Sequence, residues 1–193
     1  MSTSATRFLQ QENIRLTKEV EALKQQNLTL NRYLETVKEI HAANQQLSSI
    51  EDPFDRLKQL FNKVTTVIGA MDGSIMQLDD EAGELVFVIV HGELSEQLVG
   101  FRMKSDEGIA GWVVENREPI IVNHPRQDWR FSVQVDEAFH FTTRSIASVP
   151  VMSEQGKFLG VIHSLNKRGE FTQADIALLL VLSQVAAKVL ESS

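Results

Sequence analysis

The N-terminal part of the chain carries an apolar residue at every seventh position. Gly and Pro are absent from this segment, and the repeated positions are Leu9, Leu16, Leu23, Leu30 and Val37. Apolar residues sustained at this spacing are typical of a coiled coil, where they face a second helix. The second core position of the same register holds Thr6, Asn13, Val20, Asn27 and Leu34. We therefore predict a coiled coil over residues 6–48.

Two asparagines in this register indicate how the helices pair. A buried Asn is satisfied by the equivalent Asn across a parallel, in-register, two-stranded seam, and poorly satisfied in other arrangements. The alternative is a single amphipathic helix folded onto its own domain, for which a stripe of two residues per heptad is narrow. The pattern favours a parallel homodimer whose dimerisation residues are Leu9, Asn13, Leu16, Val20, Leu23, Asn27, Leu30, Leu34 and Val37.

A second segment, residues 53–191, has the pattern of a folded domain. Asp52-Pro53 is a helix start, because Asp caps well and Pro is favoured in the first helical turn. The helix is predicted to end at Gly69, and strand-like segments follow from Gly73, with a short third strand near Val99–Met103. The last helix, from Thr172, is apolar on all sides, which predicts burial on all sides, in part by a partner subunit.

Composition and charge narrow the function. The chain has no Cys and a net charge of −7, and its Lys and Arg residues are dispersed. Disulfides, thiolate metal sites and a Cys nucleophile are excluded, and nucleic acid is not an expected partner. The N-terminus lacks the apolar core of a signal peptide, and the longest apolar run is too short to span a bilayer. We expect a cytoplasmic protein that does not bind membranes.

Several short motifs resemble the GAF family of small-molecule sensor domains, over roughly Pro53 to Leu190. They are Gly108-Ile109-Ala110-Gly111-Trp112-Val113, Glu118-Pro119-Ile120, Ser145, Val149-Pro150-Val151, Leu159-Gly160-Val161 and Asn166-Lys167 before Phe171 and Asp175. The resemblance implies an α+β fold. We expect a central antiparallel sheet of five or six strands, with the Pro53 and Thr172 helices on one face and the middle segment on the other.

The sequence contains no motif that is typical of a catalytic site. Phosphate-binding loops, nucleophile elbows and paired metal-ligand motifs are absent, and the histidines are scattered singly. We therefore predict no catalytic residue and no metal site, and His163 is expected to be a core histidine with satisfied hydrogen bonds. Family reductases rely on cysteines, which this chain lacks. The cyclic-nucleotide signature of the family is matched at Asn166, Lys167, Phe171 and Asp175, but Ile176 replaces its Glu.

The resemblance also implies where a ligand would bind. In GAF domains the cavity lies between the sheet and the irregular middle segment, which is rich in aromatic and charged residues here. The candidate ligand-binding residues are Trp112, His124, Asp128, Trp129, Arg130, Phe131, Phe139, Phe141 and Arg144. Alternatively, the aromatic residues of this segment fill the cavity themselves.

Two functions follow from these observations. The first is a non-enzymatic dimeric sensor that binds a small molecule and relays its state through the coiled coil to a protein partner in a signalling pathway. The second is a ligand-free dimeric scaffold that uses the coiled coil and the GAF-like domain for assembly. The sequence identifies no cofactor and no ligand.

Overall fold

The structure, a computed structural model, describes residues 2–46 and 50–192. Within the first range it gives the backbone alone at positions 2–5, 28–30, 32–33, 36, 39–40, 43–44 and 46. The chain forms two compact units, Met1–Lys38 and Glu39–Ser193. The predicted boundary between residues 48 and 53 lies next to residues 47–49, which fall outside the described ranges.

The N-terminal unit consists of helix α1, which spans Ser2–Gln46 and continues past the unit's end. Ion pairs between residues three apart, such as Arg15 with Glu12 at 2.7 Å, join neighbouring turns. Leu9, Leu16 and Leu23 of the predicted stripe are 46–62% exposed in the single chain. The side chain of Leu30 lies outside the described residues. The helix is therefore as predicted, while its pairing into a coiled coil stays a prediction.

The C-terminal unit contains a six-stranded antiparallel sheet with the order β3-β2-β1-β6-β5-β4. Its strands are β1 (Asp72–Asp79), β2 (Glu84–His91), β3 (Arg102–Lys104), β4 (Ile120–Val122), β5 (Ile146–Met152) and β6 (Phe158–Leu165). Strands β1 and β6 pair at the centre, so each is flanked on both sides. The expected sheet is confirmed, although β3 begins three residues later than predicted because Gly100 turns the chain at φ +85°.

Helices α2 (Pro53–Ile68) and α5 (Gln173–Leu190) cover one face of the sheet. The side chain of Asp52 accepts a hydrogen bond from Phe54 N at 2.8 Å, and α2 ends at Gly69 with φ +79°. Thr172 and Asp175 form the capping box that begins α5. Each of these signals is local in the sequence, and the helix boundaries it predicts are confirmed.

Helix α5 is not buried on all sides within the single chain. The side chains of Ala177, Val181 and Val185 form a half-buried stripe on it, while Leu179 and Leu182 are fully buried. By length and composition α5 could cross a membrane, but half of its residues are buried in the domain, as in the core helix of a globular protein. The predicted partner subunit against this stripe stays a prediction.

The opposite face of the sheet is covered by the middle segment. It contains helix α3 (Gly108–Asn116), a 3-10 turn (Pro125–Gln127) and helix α4 (Gln134–Phe139). The sequence did not predict α4, because its six residues show no clear helical period. The helix is held by tertiary bonds instead: Asp136 on α4 accepts from Thr143 N at 3.0 Å and from Thr143 Oγ1 at 2.6 Å.

Candidate functional site

A cavity of about 90 Å³ lies between the sheet and helices α3 and α4. Its walls are mostly apolar and include Phe87 from the sheet, Ala110 from α3, and Phe131 and Phe141 from the middle segment. A cavity of this size has room for a few non-hydrogen atoms, and larger guests require the walls to move. The apolar walls leave a small number of polar side chains to determine what can bind.

Three polar side chains form a row across the sheet on the cavity side. Ser74 of β1 is the register partner of His163 of β6, and His163 is the register partner of Ser148 of β5. Directly opposed residues of antiparallel strands lie side by side on one face, with Cβ atoms roughly 5 Å apart. Ser74 and His163 line the cavity, and Ser148 extends the row away from it.

These three residues lack the hydrogen bonds that buried polar groups usually make. Ser74 Oγ, Ser148 Oγ and His163 Nε2 are buried and have no hydrogen-bond partner among the described residues. The prediction that the hydrogen bonds of His163 are satisfied is therefore wrong. The residue does lie on a central strand, as expected. Each such group costs roughly 1–3 kcal/mol of stability compared with a bonded one. Unsatisfied buried groups in a native fold call for a specific explanation.

His163 is uncharged at neutral pH. Burial lowers the pKa of its imidazole from the usual 6.5 to about 4, because the charged ring would lose its hydration. Part of the ring faces the cavity while Nε2 is enclosed. An uncharged imidazole carries one donor and one acceptor nitrogen.

Two carboxylates complete the polar lining. Asp136 pairs with Arg126 at 2.8 Å and accepts the two hydrogen bonds from Thr143. Asp72 accepts from Asn166 Nδ2 at 3.0 Å and from the backbone N–H of Glu93 at 3.1 Å. Among the described residues, none forms an ion pair with Asp72.

The nine candidate residues from the sequence lie in several places. Phe131 and Phe141 line the cavity. Trp112, Trp129 and Arg130 line a separate, shallow depression on the surface. Phe139 packs edge-on against Phe101 at 5.1 Å, and His124 and Arg144 are exposed.

The surface depression has its own charged pair. Arg130 Nη2 lies 2.6 Å from Asp128 Oδ2, and the Arg130 guanidinium lies 5.1 Å above the Trp112 ring. Hydrogen bonding from Arg130 lowers the pKa of Asp128. Trp129 is 89% exposed, so it does not fill the cavity as the alternative interpretation expected. Binding at this depression stays a prediction.

Sequence reasoning missed the polar row because it searched the irregular segment. Ser74, Ser148 and His163 lie on strands, at positions that face inward among apolar residues. A polar residue at a core position of an otherwise apolar strand is a signal for such a site. The alternation of side chains along β1, β5 and β6 identifies these positions once the register is known. The pairing of the strands brings the three residues together, and that pairing is not local.

The residues of the cyclic-nucleotide signature have structural roles. Lys167 Nζ lies 2.6 Å from Asp175 Oδ2, which joins the end of β6 to α5. Asp175 also caps α5, and Phe171 N donates to Asn123 Oδ1 at 2.9 Å. None of the four signature residues lines the cavity.

The sheet, the helices on its two faces and the enclosed cavity together define an α+β domain of the kind found in small-molecule sensors. The family model described as "GAF domain" matches residues 51–191, which is most of the chain. The chain belongs to the GAF-domain family. GAF domains are small-molecule-binding sensor modules of signalling proteins.

Known relatives and structures agree with this family. The dual 3',5'-cyclic-AMP and -GMP phosphodiesterase 11A of Takifugu rubripes is 35% identical over 72 residues, covering 36% of this chain and 8% of that protein. The GAF domain of a phosphoenolpyruvate-protein phosphotransferase from Coxiella burnetii has a TM-score of 0.74 at 21% identity, covering 83% of this chain and 95% of that one.

An enzyme is also among the similar structures. The free methionine-R-sulfoxide reductase of Neisseria meningitidis, in complex with its substrate, has a TM-score of 0.65 at 18% identity, covering 80% of this chain and 87% of that one. At such identities the structural likeness shows the fold alone. The chain spans 6–13% of the length of the phosphodiesterases it matches, so their activities do not transfer to it.

Proposed function

We propose that this protein is a non-enzymatic sensor that binds a small molecule in the cavity between the sheet and helices α3 and α4. The observation that carries the proposal is the pair of polar side chains at that cavity whose buried Ser74 Oγ and His163 Nε2 atoms have no hydrogen-bond partner among the described residues. A ligand that bonds to them recovers the stability they cost. In a ligand-free scaffold, the second candidate, apolar residues at these positions would pack at lower cost.

The non-enzymatic role rests on the residues available for chemistry. The sequence has no Cys, and family reductases rely on cysteines. Among the described residues, no cluster of three or more His, Asp or Glu side chains is arranged to hold a metal ion. Among the described residues, none bonds to His163 Nε2, so this nitrogen lacks the hydroxyl or carboxylate partner typical of a catalytic base.

One hydrogen bond links the cavity to the helical face of the domain. His91 ends β2 at the edge of the cavity, and its side chain points to the helical face, where Nδ1 lies 2.9 Å from Asn62 Oδ1 on α2. A ligand that moves His91 therefore acts on α2, the helix that follows α1 in the chain. This bond is a route by which the bound state can bias the helices.

The output is proposed to pass through a parallel homodimer to a protein partner. The stripe of Leu9, Leu16 and Leu23 is exposed in one copy, as an unpaired coiled-coil seam would be. Sedimentation equilibrium of the full chain tests the dimer, and a monomer at micromolar concentration would remove it. The cytoplasmic location and the absence of nucleic-acid and membrane partners remain predictions.

Native mass spectrometry of the expressed protein tests the sensor against the scaffold. We expect added mass that Ala110→Leu abolishes, because Ala110 lines the cavity and is 1% exposed. Trp129→Ala is the matched control, since it alters the surface depression and leaves the cavity intact. Added mass lost in the Trp129 variant alone would place the site at the depression. If the wild type and both variants show only the mass of the chain, after gentle lysis in the presence of cell metabolites, the result would favour the scaffold.

A further inference from the structure

The charges that line the cavity have one sign. The lining contains Asp72 and Asp136 and, among the described residues, no Lys or Arg. Arg126 already pairs with Asp136 at 2.8 Å from the other side. Asp72 is 8% exposed, receives two neutral hydrogen bonds and has no cationic partner. Buried carboxylates are normally paired with a cation, so a cationic ligand would supply the partner that Asp72 lacks.

Further acceptors lie next to Asp72. Ser74 is two residues along β1, so both side chains point to the same face of the sheet, and His163 is opposite Ser74. Ser74 is 2% exposed, lines the cavity and has no partner for its hydroxyl. A hydroxyl and an uncharged imidazole can each accept a hydrogen bond. One end of the cavity therefore offers a carboxylate, a hydroxyl and an imidazole to a donor.

The rest of the cavity is apolar and aromatic. Phe87 and Phe141 contribute rings, and Leu94 and Leu98 contribute aliphatic walls. Aromatic faces attract organic cations, and the attraction increases when the cation is removed from water. An anion in the same place would meet the uncompensated charge of Asp72 in a medium of low dielectric constant, where like charges repel strongly.

Resting on the proposed sensor function, we propose that the ligand is a small organic cation. Its ammonium or amidinium group bonds to Asp72 and Ser74, and its apolar body lies against Phe87 and Phe141. The same carboxylate rejects phosphate-bearing ligands, including the cyclic nucleotides named for the phosphodiesterases that resemble this chain. Selectivity for charge is thus a property of the β1 end of the cavity.

Probes of one shape and different charge test the class of ligand. The probes are n-butylammonium, butan-1-ol and butyrate, each titrated into the ¹⁵N-labelled full chain at equal ionic strength and followed by amide chemical shifts. We expect saturable shifts at the cavity residues with butylammonium, and binding at least roughly tenfold weaker for the alcohol and for butyrate. Cyclic GMP is expected to cause no saturable shift there.

A pair of serine variants separates recognition from folding. Ser74→Ala removes a hydroxyl that has no partner, so the melting temperature should hold or rise, while butylammonium binding should weaken roughly three- to tenfold. Ser164→Ala is the matched control. Ser164 Oγ is also buried and unpaired, but the residue alternates with His163 and so faces away from the cavity. Its variant should bind butylammonium as the wild type does.

Asp72→Asn should abolish the preference for the cation over the alcohol. If this variant does not fold, the serine pair and the three probes still decide the question. Equal binding of all probes, or tighter binding of butyrate, would overturn the proposal that the ligand is a cation. Added mass on the native protein together with no butylammonium binding overturns this inference and leaves the sensor function in place. Absence of both refutes the sensor as well.

Discussion

The neutral imidazole of His163 makes the stability of the domain depend on pH. Burial holds its pKa at about 4 in the folded chain, against 6.5 for an ordinary histidine. As the pH falls below that ordinary value, the unfolded chain takes up a proton that the folded chain does not. Stability is therefore complete above pH 6.5 and is lost as the pH falls towards about 4.

The size of the effect follows from the two pKa values. A tenfold difference in proton affinity corresponds to about 1.4 kcal/mol, so the full difference corresponds to about 3 kcal/mol. The slope is steepest between the two values, where it is about 1 kcal/mol for each pH unit. For a domain with a free energy of unfolding of roughly 5–15 kcal/mol, this is a large share.

Urea unfolding of the wild type and of His163→Gln, at intervals between about pH 4.5 and pH 8, measures this dependence. The difference between the two curves isolates the imidazole, since the carboxylates titrate in both proteins. We expect the wild type to lose about 1 kcal/mol more than the variant for each pH unit near pH 5.5.

The control is His124→Asn, which removes an exposed imidazole and sets the scale for a change made at the surface. Parallel curves for the wild type and His163→Gln would show that the ring is charged, or bonded to water, in the folded chain. The cavity floor would then not be short of hydrogen bonds.

Three further predictions concern the dimer, the strand–helix junction and the sheet. Replacing Asn13 and Asn27 together by Ile should raise the melting temperature and give mixed oligomers by light scattering, and a clean dimer would show that these residues do not specify the state. Lys167→Ala should lower stability by about 2 kcal/mol in urea unfolding, because it breaks a largely buried pair, whereas Lys157→Ala removes an exposed pair and should cost under about 0.5 kcal/mol. Gly73→Ala should cost more than about 2 kcal/mol, since its Cβ would lie 2.7 Å from a backbone oxygen of β6, and a stable variant would contradict the strand spacing.

What the sequence predicts well is local. The Asp52-Pro53 start, the Gly69 end and the Thr172–Asp175 capping box each act within a few residues, and the structure has all of them. The Lys167–Asp175 pair spans a short turn and is local in the same sense. Most of the order of helices and strands can therefore be predicted from local patterns, and α4, which is held by tertiary hydrogen bonds, is an exception.

The cavity could not be predicted in this way, because its polar floor, Ser74 and His163, comes from two strands that are far apart in the chain. Ser74 and Ser148 are 74 positions apart in the chain, and only the pairing of both strands with β6 brings them beside His163. Most of the candidate residues were predicted in the aromatic middle segment, and two of them, Phe131 and Phe141, do line the cavity. Trp129 is exposed and Phe139 packs against Phe101, so aromatic composition alone does not distinguish cavity, core and surface.

The two faces of the sheet differ in what a ligand can change. On the helical face Leu57, Leu179 and Leu182 are fully buried, and such packing leaves little freedom for rearrangement. On the cavity face the unpaired groups of Ser74 and His163 belong to residues that border a cavity, so a ligand bound there would gain hydrogen bonds that the free domain lacks. A ligand shifts a conformational equilibrium only through such a difference in interaction energy. Since His91 lies at the edge of the cavity and its side chain bonds to Asn62, a ligand that displaced this end of β2 would also displace its contact with α2.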